Sequence, residues 1–403
     1  MHSSLKMLFI FGFCLAVLFF YFLIERILLD QKLRRIPRRV CVTGTRGKSA
    51  VTRLIAAACR EAGFKVVAKT TGSKPVMIFP DGAEKEISRR GRPSILEQKK
   101  ILRIARRVKA DTIVAEMMSI RPECLKAETG RLLRPHVTAV TNVRLDHMDD
   151  MGRTKPEIAE SLASAIPAHG TLFVLEKEYY PVFQAIADQK GTRLIKVSQD
   201  FEGSRLRCGD RPAVREFPEN RQIALAVSQF LGIHKTTALA GMAKVRPDFG
   251  GLKIWKFAVQ SGPSTWYSVS AFAANEPEST REALDMIRRE FTFLPKKMIG
   301  LLALRQDRGD RTRQWLQALS VGYFSEFERL FFIGDHARAI GRKRKWAASG
   351  RPKVTAICEK EPAKIIEDVL AHEAGDGLLI GMGNIGGLGG RIVEHWASMG
   401  TSL

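Results

Sequence analysis

The residues with the clearest chemical meaning are seven in a row, Thr43-Gly44-Thr45-Arg46-Gly47-Lys48-Ser49. Glycines let backbone N–H groups close around phosphate oxygens, Lys48 can neutralise β and γ phosphates, and Ser49 can bind Mg2+. The general pattern has glycine where this chain has Val42, so the loop is a shortened form that starts at Gly44. The spacing predicts a phosphate-binding loop; the alternative is an ordinary tight turn with a surface lysine.

A carboxylate and a histidine follow two other apolar runs. Glu116 ends the run 112–115, where an ionised carboxylate is costly unless it is paired or bound to a cation such as Mg2+. His147 lies in the stretch 141–149 and is accompanied by three carboxylates, those of Asp146, Asp149 and Asp150. At the carboxyl end of a strand, such a group suits a metal or a phosphoryl acceptor. The alternatives are a structural ion pair for Glu116 and a structural role for the histidine.

Apolar runs and turn residues predict the elements that position these groups. Residues 39–43 read as a strand, the phosphate loop follows, and apolar residues then recur at helical spacing from Val51 to Ala62, before Gly63. The same reasoning predicts further strands at 65–70, 112–116, 137–143, 171–175, 298–304, 330–333 and 377–380. It predicts helices opened by capping boxes at Ser94 and Thr154, and helices at 223–231 and 364–372. Strands that alternate with helices predict an α/β fold with parallel sheets.

The chain divides into three predicted parts. Residues 1–37 form a membrane anchor, with a transmembrane helix at about 7–24 and a basic linker. Residues 38–250 form a P-loop ATPase domain with a parallel sheet, and residues 251–403 form a smaller, Rossmann-like α/β domain. The boundary between these two domains is predicted near 249–251.

The anchor is predicted from length and charge. Residues 7–24 carry no charge, and as a helix they would be about 27 Å long, close to the hydrocarbon thickness of a bilayer. Only Lys6 precedes the run, whereas it is followed by a basic cluster that comprises Lys32, Arg34, Arg35, Arg38 and Arg39. The positive-inside rule then predicts a single-pass protein of the cell membrane with its catalytic domains in the cytoplasm. The alternative is a buried core helix.

The composition narrows the class of partner. Lys and Arg total 65 and Asp and Glu total 42, so the formal net charge is +23, which favours an anionic partner such as a nucleotide, a nucleic acid, an acidic polymer or a phospholipid. No nucleic acid is expected, because the sequence has no basic repeat interleaved with aromatic residues and no known nucleic-acid-binding module. The six cysteines form no Cys-x-x-Cys pair, which indicates a reducing compartment and argues against a zinc site.

These motifs together resemble the central domain of Mur ligases and folylpolyglutamate synthases. The resemblance rests on the phosphate loop, Glu116, the pattern Thr-Asn-Val-x-x-Asp-His-x-Asp at 141–149, and Asn220 opening a helix that ends near Leu231-Gly232-Ile233. It implies an ADP-forming ligase, in which the ATP γ-phosphate activates a carboxylate as an acyl phosphate that an amine then attacks.

The same resemblance implies roles for individual residues. Ser49 and Glu116 would hold one Mg2+, His147 would hold a second, and Asn220 would contact the adenine. Lys48, Glu116 and His147 are therefore the catalytic candidates. The loop residues implied to contact ATP are Gly44, Thr45, Arg46, Gly47, Lys48 and Ser49. Many Mur ligases also bridge Mg2+ ions with a carbamoylated lysine, and none is assigned here within 171–180.

A narrower likeness is to the ligase subunit of bacterial poly-γ-glutamate (capsule) synthase. It rests on the variant loop Gly-Thr-Arg-Gly-Lys-Ser, on residues 271–280 and 305–311, and on the N-terminal anchor. It implies glutamate or a growing polyglutamate chain as substrate, joined through γ-amide bonds for a capsule or secreted polymer, with small membrane proteins of an export complex as partners. The segment 307–311 follows a predicted buried strand, so Arg308 and Asp310 would clamp the ribose and phosphates of ATP as the second domain closes over the first. The alternative for this segment is a solvated salt-bridge loop.

Two other functions stay open from the sequence. One is a membrane-tethered Mur-like ligase that acts on a cell-wall precursor, and the other is a nucleotide-binding scaffold of an export complex, which could lose Glu116 and His147. The stretch Gly381-Met382-Gly383-Asn384-Ile385-Gly386 also matches a dinucleotide fingerprint, but too few residues follow it for the second strand and acidic residue that the fingerprint needs. A tight turn that lines the domain cleft is predicted there instead.

Overall fold

The computed structural model describes residues 2–72, 74–89, 91, 93–198, 207–208, 211–212, 216–246, 251–258, 264–335, 337–338, 352–371 and 373–403. These residues form two large sheets covered by helices, a two-stranded ribbon and a long N-terminal helix. The predicted α/β class with mainly parallel sheets is confirmed.

The first sheet has eight strands within the described residues. They are β1 (Arg38–Thr43), β2 (Val66–Lys69), β3 (Val76–Ile78), β4 (Glu84–Glu86), β5 (Thr112–Glu116), β6 (Val137–Val140), β7 (Thr171–Leu175) and β8 (Arg193–Val197). The strand order is β4-β3-β2-β5-β1-β6-β7-β8, in which β3 and β4 form an antiparallel hairpin at one edge and the other strands run parallel. The carboxyl ends of β5, β1 and β6 therefore lie side by side, with the phosphate loop in the middle.

Helices cover both faces of this sheet. The helices of this part are α1 (His2–Arg34), α2 (Lys48–Glu61), α3 (Gln98–Arg107), α4 (Pro122–Ala127), α5 (Met148–Met151), α6 (Lys155–Ala163), α7 (Pro181–Gln189), α8 (Pro218–Phe230) and α9 (Lys235–Ala243). Buried side chains of α2, α8 and α9 pack together on one face, whereas α3, α6 and α7 contribute to the cores on the other. The two-stranded ribbon pairs β9 (Arg207–Cys208) with β10 (Arg211–Pro212).

The second sheet has seven strands within the described residues. They are β11 (Lys253–Ala258), β12 (Thr265–Ser270), β13 (Met298–Leu304), β14 (Arg329–Gly334), β15 (Lys353–Ala356), β16 (Gly377–Gly383) and β17 (Thr401–Ser402). Their order is β15-β14-β13-β16-β12-β11-β17, parallel from β15 to β12 and antiparallel at β11 and β17. Its helices are α10 (Pro277–Glu290), α11 (Gly309–Ser320), α12 (Pro362–Leu370) and α13 (Gly390–Met399).

Helix α1 differs in its surroundings from the other helices that the structure describes. Its span Lys6–Arg34 is long and apolar enough to cross a membrane, and none of its most apolar window is buried within the protein. The alternative of a buried core helix is therefore wrong. Among the described residues, the last third of α1 contacts the rest of the chain: Glu25 pairs with Lys99, Asp30 pairs with Arg134 at 2.8 Å, and Leu33 is buried.

Local details depart from the predicted elements. Ser94 caps a 3-10 turn, Ile95–Glu97, but the expected capping box does not form because the Glu97 carboxylate accepts from Arg89 instead. Of the capping box predicted at Thr154, the hydrogen bond of the threonine forms: its side chain accepts from the Glu157 N–H. Strand β6 ends at Val140, so residues 141–143 are a loop. The predicted helix 364–372 is α12, which begins earlier and ends at Leu370; His372 lies outside the described residues, as do positions 249 and 250 of the predicted boundary.

Candidate active site

The phosphate loop connects the central strand of the first sheet to its most buried helix. In register, Val42 of β1 lies opposite Glu116 of β5 and Ala139 of β6. Helix α2 starts at Lys48, with Gly47 as its N-terminal cap in the left-handed region at φ 76°. The loop thus points backbone N–H groups and a helix N-terminus along the carboxyl edge of the sheet, which is the arrangement that binds phosphate.

The loop after β6 supports the phosphate loop from the side. The Asn142 Oδ1 accepts from the Thr45 hydroxyl at 2.7 Å and from the Arg46 N–H at 2.9 Å, and the Thr141 hydroxyl donates to the Arg46 carbonyl at 2.5 Å. Gly44 has φ 125°, and a Cβ there would lie 2.1 Å from the Thr141 Oγ1. The close approach of the two loops therefore requires glycine at position 44.

Gly47 is required for a second reason, its contact with Asn220. A Cβ on Gly47 would lie 2.3 Å from the Asn220 Oδ1, and Asn220 is itself held by a hydrogen bond from its Nδ2 to the Glu216 carboxylate at 2.8 Å. Asn220, in the first turn of α8, is 5% exposed. The amide predicted to contact adenine thus lies directly against the phosphate loop.

We expect Gly47→Ala to abolish ATP turnover, because it adds steric overlap with Asn220 to a left-handed backbone strain of about 1–2 kcal/mol. Gly63→Ala is the matched control: Gly63 also has a positive φ, 82°, but a Cβ there has nothing within 4 Å. That variant should lose similar thermal stability and keep its turnover. Equal turnover in the two variants would contradict the tight packing of the loop.

The side chain of Lys48 turns back over the preceding loop residues, 44–47. Its Nζ donates to the Gly44 carbonyl at 2.7 Å and to the Thr45 carbonyl at 3.2 Å. Burial lowers the pKa of Lys48, while the Glu116 carboxylate acts in the opposite direction. The ammonium group therefore lies among carbonyl oxygens inside the loop, in reach of the space that phosphates would share with the N–H groups.

Ser49 and Glu116 form a pair of oxygen ligands beside the loop. The Ser49 hydroxyl donates to the Glu116 Oε2 at 2.7 Å, and the same oxygen accepts from the Thr71 N–H at 2.6 Å. Glu116 is 2% exposed and has no lysine or arginine in ion-pair contact among the described residues. A hydroxyl and a carboxylate are the hard ligands that Mg2+ takes next to phosphates, so this pair fits such an ion.

Two of the three carboxylates near His147, those of Asp146 and Asp150, are paired with arginines. Asp146 is 1% exposed and pairs with Arg46 at 2.9 Å and Arg311 at 3.1 Å, while Asp150 pairs with Arg121 at 2.8 Å. Among the described residues, no three His, Cys, Asp or Glu side chains are grouped so that they could hold a metal ion. The hypothesis of a metal site built from His147 and its neighbouring aspartates is therefore wrong for the aspartates.

His147 itself adopts a left-handed conformation at φ 50° and precedes α5. Its Nε2 lies 3.5 Å from the Asp146 Oδ2. Burial lowers the pKa of His147, and the positive charges of Arg311, Arg308 and Lys48 add to that effect against the charge of Asp146. A neutral imidazole is the form that binds a metal, so its environment is compatible with the predicted role, which stays a prediction.

A cleft of about 240 Å3 opens between the two sheets at this point. Of the predicted site residues, 45–49, Glu116 and Asn220 line it, whereas Gly44, His147, Arg308 and Asp310 do not. Arg308 is half-buried and caps the start of α11, and Asp310 lies in the first turn of that helix. Ile385, from the turn after β16, lines the cleft as predicted.

Further charged residues line the cleft next to the phosphate loop, since the Arg144 N–H donates to the Thr45 hydroxyl at 2.9 Å. Arg144 donates to Glu178 at 2.5 Å and to Glu282 of α10 at 2.7 Å, so it bridges the two sheet domains. Burial acts to lower the pKa of Arg144, but the two carboxylates outweigh it and raise the pKa overall. The only signal for Arg144 was its place within the stretch 141–149, since its partners are distant in sequence.

The fold and the site define the Mur ligase class of ATP-dependent ligases. The family model of the Mur ligase middle domain matches residues 42–245, and that of the poly-gamma-glutamate synthase CapB C-terminal domain matches residues 256–399. The chain is 32% identical over 386 residues to PGA synthase CapB of Bacillus subtilis (strain 168), covering 94% of this chain and 95% of that protein. It is 36% identical over 343 residues to capsule biosynthesis protein CapB of Bacillus anthracis, covering 83% and 71%. The chain belongs to the CapB family of poly-γ-glutamate synthases.

Solved structures agree with this fold. A bifunctional folylpolyglutamate synthase/dihydrofolate synthase from Yersinia pestis, complexed with AMPPNP and Mn ion, superposes with a TM-score of 0.65 at 15% identity and covers 92% of each chain. MurF from Acinetobacter baumannii gives a TM-score of 0.60 at 15% identity and covers 91% of this chain and 79% of that one. Both sheet domains therefore share the Mur ligase fold.

Proposed function

We propose that this ligase activates the γ-carboxylate of glutamate, or of a growing polyglutamate chain, with ATP and joins it to the amine of another glutamate. The observation that carries the proposal is the Ser49–Glu116 pair beside Lys48, which lines a cleft closed on its other side by the second sheet domain. The names of the two relatives support the choice of polymer. A structural neighbour with Mn, AMPPNP and L-glutamate bound supports the choice of substrates.

In the first step, a carboxylate oxygen attacks the γ-phosphorus of ATP, the bond to ADP breaks, and an acyl phosphate forms. In the second, an amine attacks the acyl carbon, loses a proton, and expels phosphate. Lys48 would hold the β and γ phosphates and offset the charge that develops on them. Residues 45–47 would donate backbone N–H groups to the phosphates, and the closed cleft would keep water from the acyl phosphate.

The site residues are proposed to hold one Mg2+ through Ser49 and Glu116, with His147 as ligand to a second. When bound, Mg2+ supplies positive charge to the transferring phosphate. Asn220 is proposed to contact adenine, and Arg308 and Asp310 to reach ribose and phosphates when the second domain approaches further. Gly44 shapes the loop by allowing its contact with Thr141.

The proposed setting is the cell membrane. Helix α1 would cross the bilayer once and place the catalytic domains in the cytoplasm, next to small membrane-protein partners that receive the polymer. The apolar exposed surface of α1 and the basic residues that follow it support this arrangement. The proposed parts are the anchor and linker (1–37), the ATP-binding domain (38–250) and the C-terminal ligase domain (251–403).

Phosphate release by membranes that contain the full chain tests the function. With ATP and Mg2+, we expect turnover to rise when glutamate is added, and mass spectrometry should detect γ-linked products. If ATP turnover does not change with glutamate but rises with a cell-wall precursor, glutamate is not the substrate and the precursor takes its place. Turnover that responds to no acceptor, even with membrane partners present, would favour a nucleotide-binding scaffold.

We expect His147→Ala to weaken metal-dependent turnover by raising the Mg2+ concentration needed for half-maximal rate. His234→Ala is the matched control, since His234 is an exposed histidine that precedes α9, on the far side of α2. A titration of Mg2+ at saturating ATP measures the effect. An unchanged Mg2+ dependence in His147→Ala would remove its proposed ligand role.

A further inference from the structure

Asp146 lies buried at the junction of the two sheet domains between two arginines. Its Oδ2 is 2.9 Å from the Arg46 Nη2, within the phosphate loop, and its two oxygens accept from the Arg311 Nε at 3.1 Å and Nη2 at 3.3 Å, in the first turn of α11. The carboxylate is 1% exposed. A charge buried to this extent is stable only while its partners stay in place, so the position of one arginine depends on the other.

Arg311 is fixed on its other side by the second sheet domain. Its Nη1 donates to the Asn275 Oδ1 at 3.1 Å and to the Asn384 Oδ1 at 2.9 Å. Asn384 is anchored in turn, since its Nδ2 donates to the Ala303 carbonyl at 3.1 Å. One guanidinium therefore connects the loops after β12 and β16 to the loop after β6, with all of its donor groups oriented.

In contrast to Arg311, Arg46 has a guanidinium that hydrogen bonds support poorly. Its guanidinium keeps buried nitrogen atoms, Nε and Nη2, without a hydrogen bond of good geometry, and its one close anionic partner among the described residues is Asp146. Its backbone is held by Asn142 and Thr141, but its side chain has no such support. The orientation of the Arg46 side chain is consequently set by Asp146, and through it by Arg311.

We propose that Asp146 and Arg311 form a positioning latch, by which docking of the second domain orients Arg46 and the adjoining phosphate loop for reaction. This inference rests on the proposed ligase function. In the latch, Arg311 and Asp146 act through Arg46 and are not themselves catalytic residues. Because the latch acts when the domains close, its loss reduces kcat more than it weakens the binding of ATP to the phosphate loop.

The variants Arg311→Lys and Asp146→Asn test the latch. Lysine keeps the charge of Arg311 but lacks the planar set of donors that reaches Asp146 and both asparagines at once. We expect about a hundredfold lower kcat in glutamate-dependent turnover, with the Kd for ATP changed by less than about threefold. The double variant should be no slower than the slower single variant, since both changes break the same connection.

Lys155→Met is the matched control. Lys155 pairs with Glu278 of α10 at 2.8 Å, so its loss also removes an ion pair between the two domains, but away from the phosphate loop. This variant should keep kcat. The latch would be overturned if kcat were unchanged in Arg311→Lys, or if Arg311→Lys and Lys155→Met lowered kcat equally. It would also be overturned if the effects of the two single variants on kcat multiplied in the double variant.

Hydrogen exchange of the full chain separates this inference from the proposed ligase function. On addition of ATP and Mg2+, we expect the amides of Gly309–Ser320 to exchange more slowly in the wild type and in Lys155→Met, but not in Arg311→Lys or Asp146→Asn. This result would support the latch even if glutamate gave no turnover. Equal ATP-induced protection in all four proteins would overturn it even if the ligase function stood.

Discussion

Lys48→Ala is expected to abolish ATP turnover while leaving the fold intact. The Lys48 ammonium contacts two carbonyl oxygens of the phosphate loop, at 2.7 and 3.2 Å, and none of the buried apolar side chains of α2 depends on it. We propose that Lys48 stabilises the negative charge of the phosphates inside a cleft that is partly closed to water. In such a site, the loss of a single hydrogen-bond donor typically lowers the rate by about 10²–10³-fold. Phosphate release with ATP, Mg2+ and glutamate should therefore fall below detection.

Lys65→Ala is the control for this substitution. Lys65 is an exposed lysine just before β2, at the opposite edge of the sheet from the phosphate loop. It should retain full turnover, and both variants should unfold at nearly the wild-type temperature. Lys48→Ala with unchanged turnover would remove the phosphate-loop assignment, whereas a large loss of thermal stability in that variant would leave the assignment to be decided by ATP binding to Lys48→Met.

The elements predicted most accurately are the buried parallel strands. The predicted strands 112–116, 171–175 and 298–304 match β5, β7 and β13 at both ends. Strands covered on both faces are continuous apolar runs, and those runs end where the chain leaves the core. The conformation of the phosphate loop was predicted equally well. Its glycines, Lys48 and Ser49 are adjacent in sequence, and their positions depend only on the strand before them and the helix after them.

Strands β11 and β12, near the antiparallel side of the second sheet, were missed. Strand β11 alternates buried and exposed residues, and β12 mixes aromatic residues with serine and threonine, so neither is a long apolar run. Their period-two pattern was present but short. The hairpin of β3 and β4 was missed for a related reason, since β4 consists of Glu84, Lys85 and Glu86 and is exposed throughout.

The contacts across the cleft could not be predicted from spacing. Asp146 and Arg311 are 165 residues apart, and Arg144 and Glu282 are 138 residues apart. The sequence around Asp146 contains no pattern that indicates an ion pair between its carboxylate and an arginine of α11. This is why the predicted group of aspartates around a metal was wrong. Ser49 and Glu116 do meet, because Ser49 lies at the start of the helix that follows β1 and Glu116 ends the neighbouring strand β5.

The second large expected effect concerns that pair. We expect Glu116→Gln to lower metal-dependent turnover by about 10²–10³-fold, because the amide is nearly isosteric with the carboxylate but has no charge for Mg2+. The Glu116 Oε2 accepts from both the Ser49 hydroxyl and the Thr71 N–H, and one oxygen remains in the glutamine to accept from Thr71. The backbone around position 116 should thus stay in place while the ionic ligand is lost.

Ser49→Ala distinguishes loss of charge from loss of a ligand. It removes the hydroxyl that contacts Glu116 but leaves the carboxylate, so we expect a smaller fall in rate and a higher Mg2+ requirement, with partial recovery at high Mg2+. Glu116→Gln should not recover in the same titration. Glu128→Gln serves as the control for removing a buried carboxylate nearby: Glu128 accepts from Gln98 at 2.7 Å and from two backbone N–H groups, outside the cleft. If Glu116→Gln and Glu128→Gln lower turnover equally and neither changes the Mg2+ dependence, the carboxylate of Glu116 supports the fold and does not hold the metal.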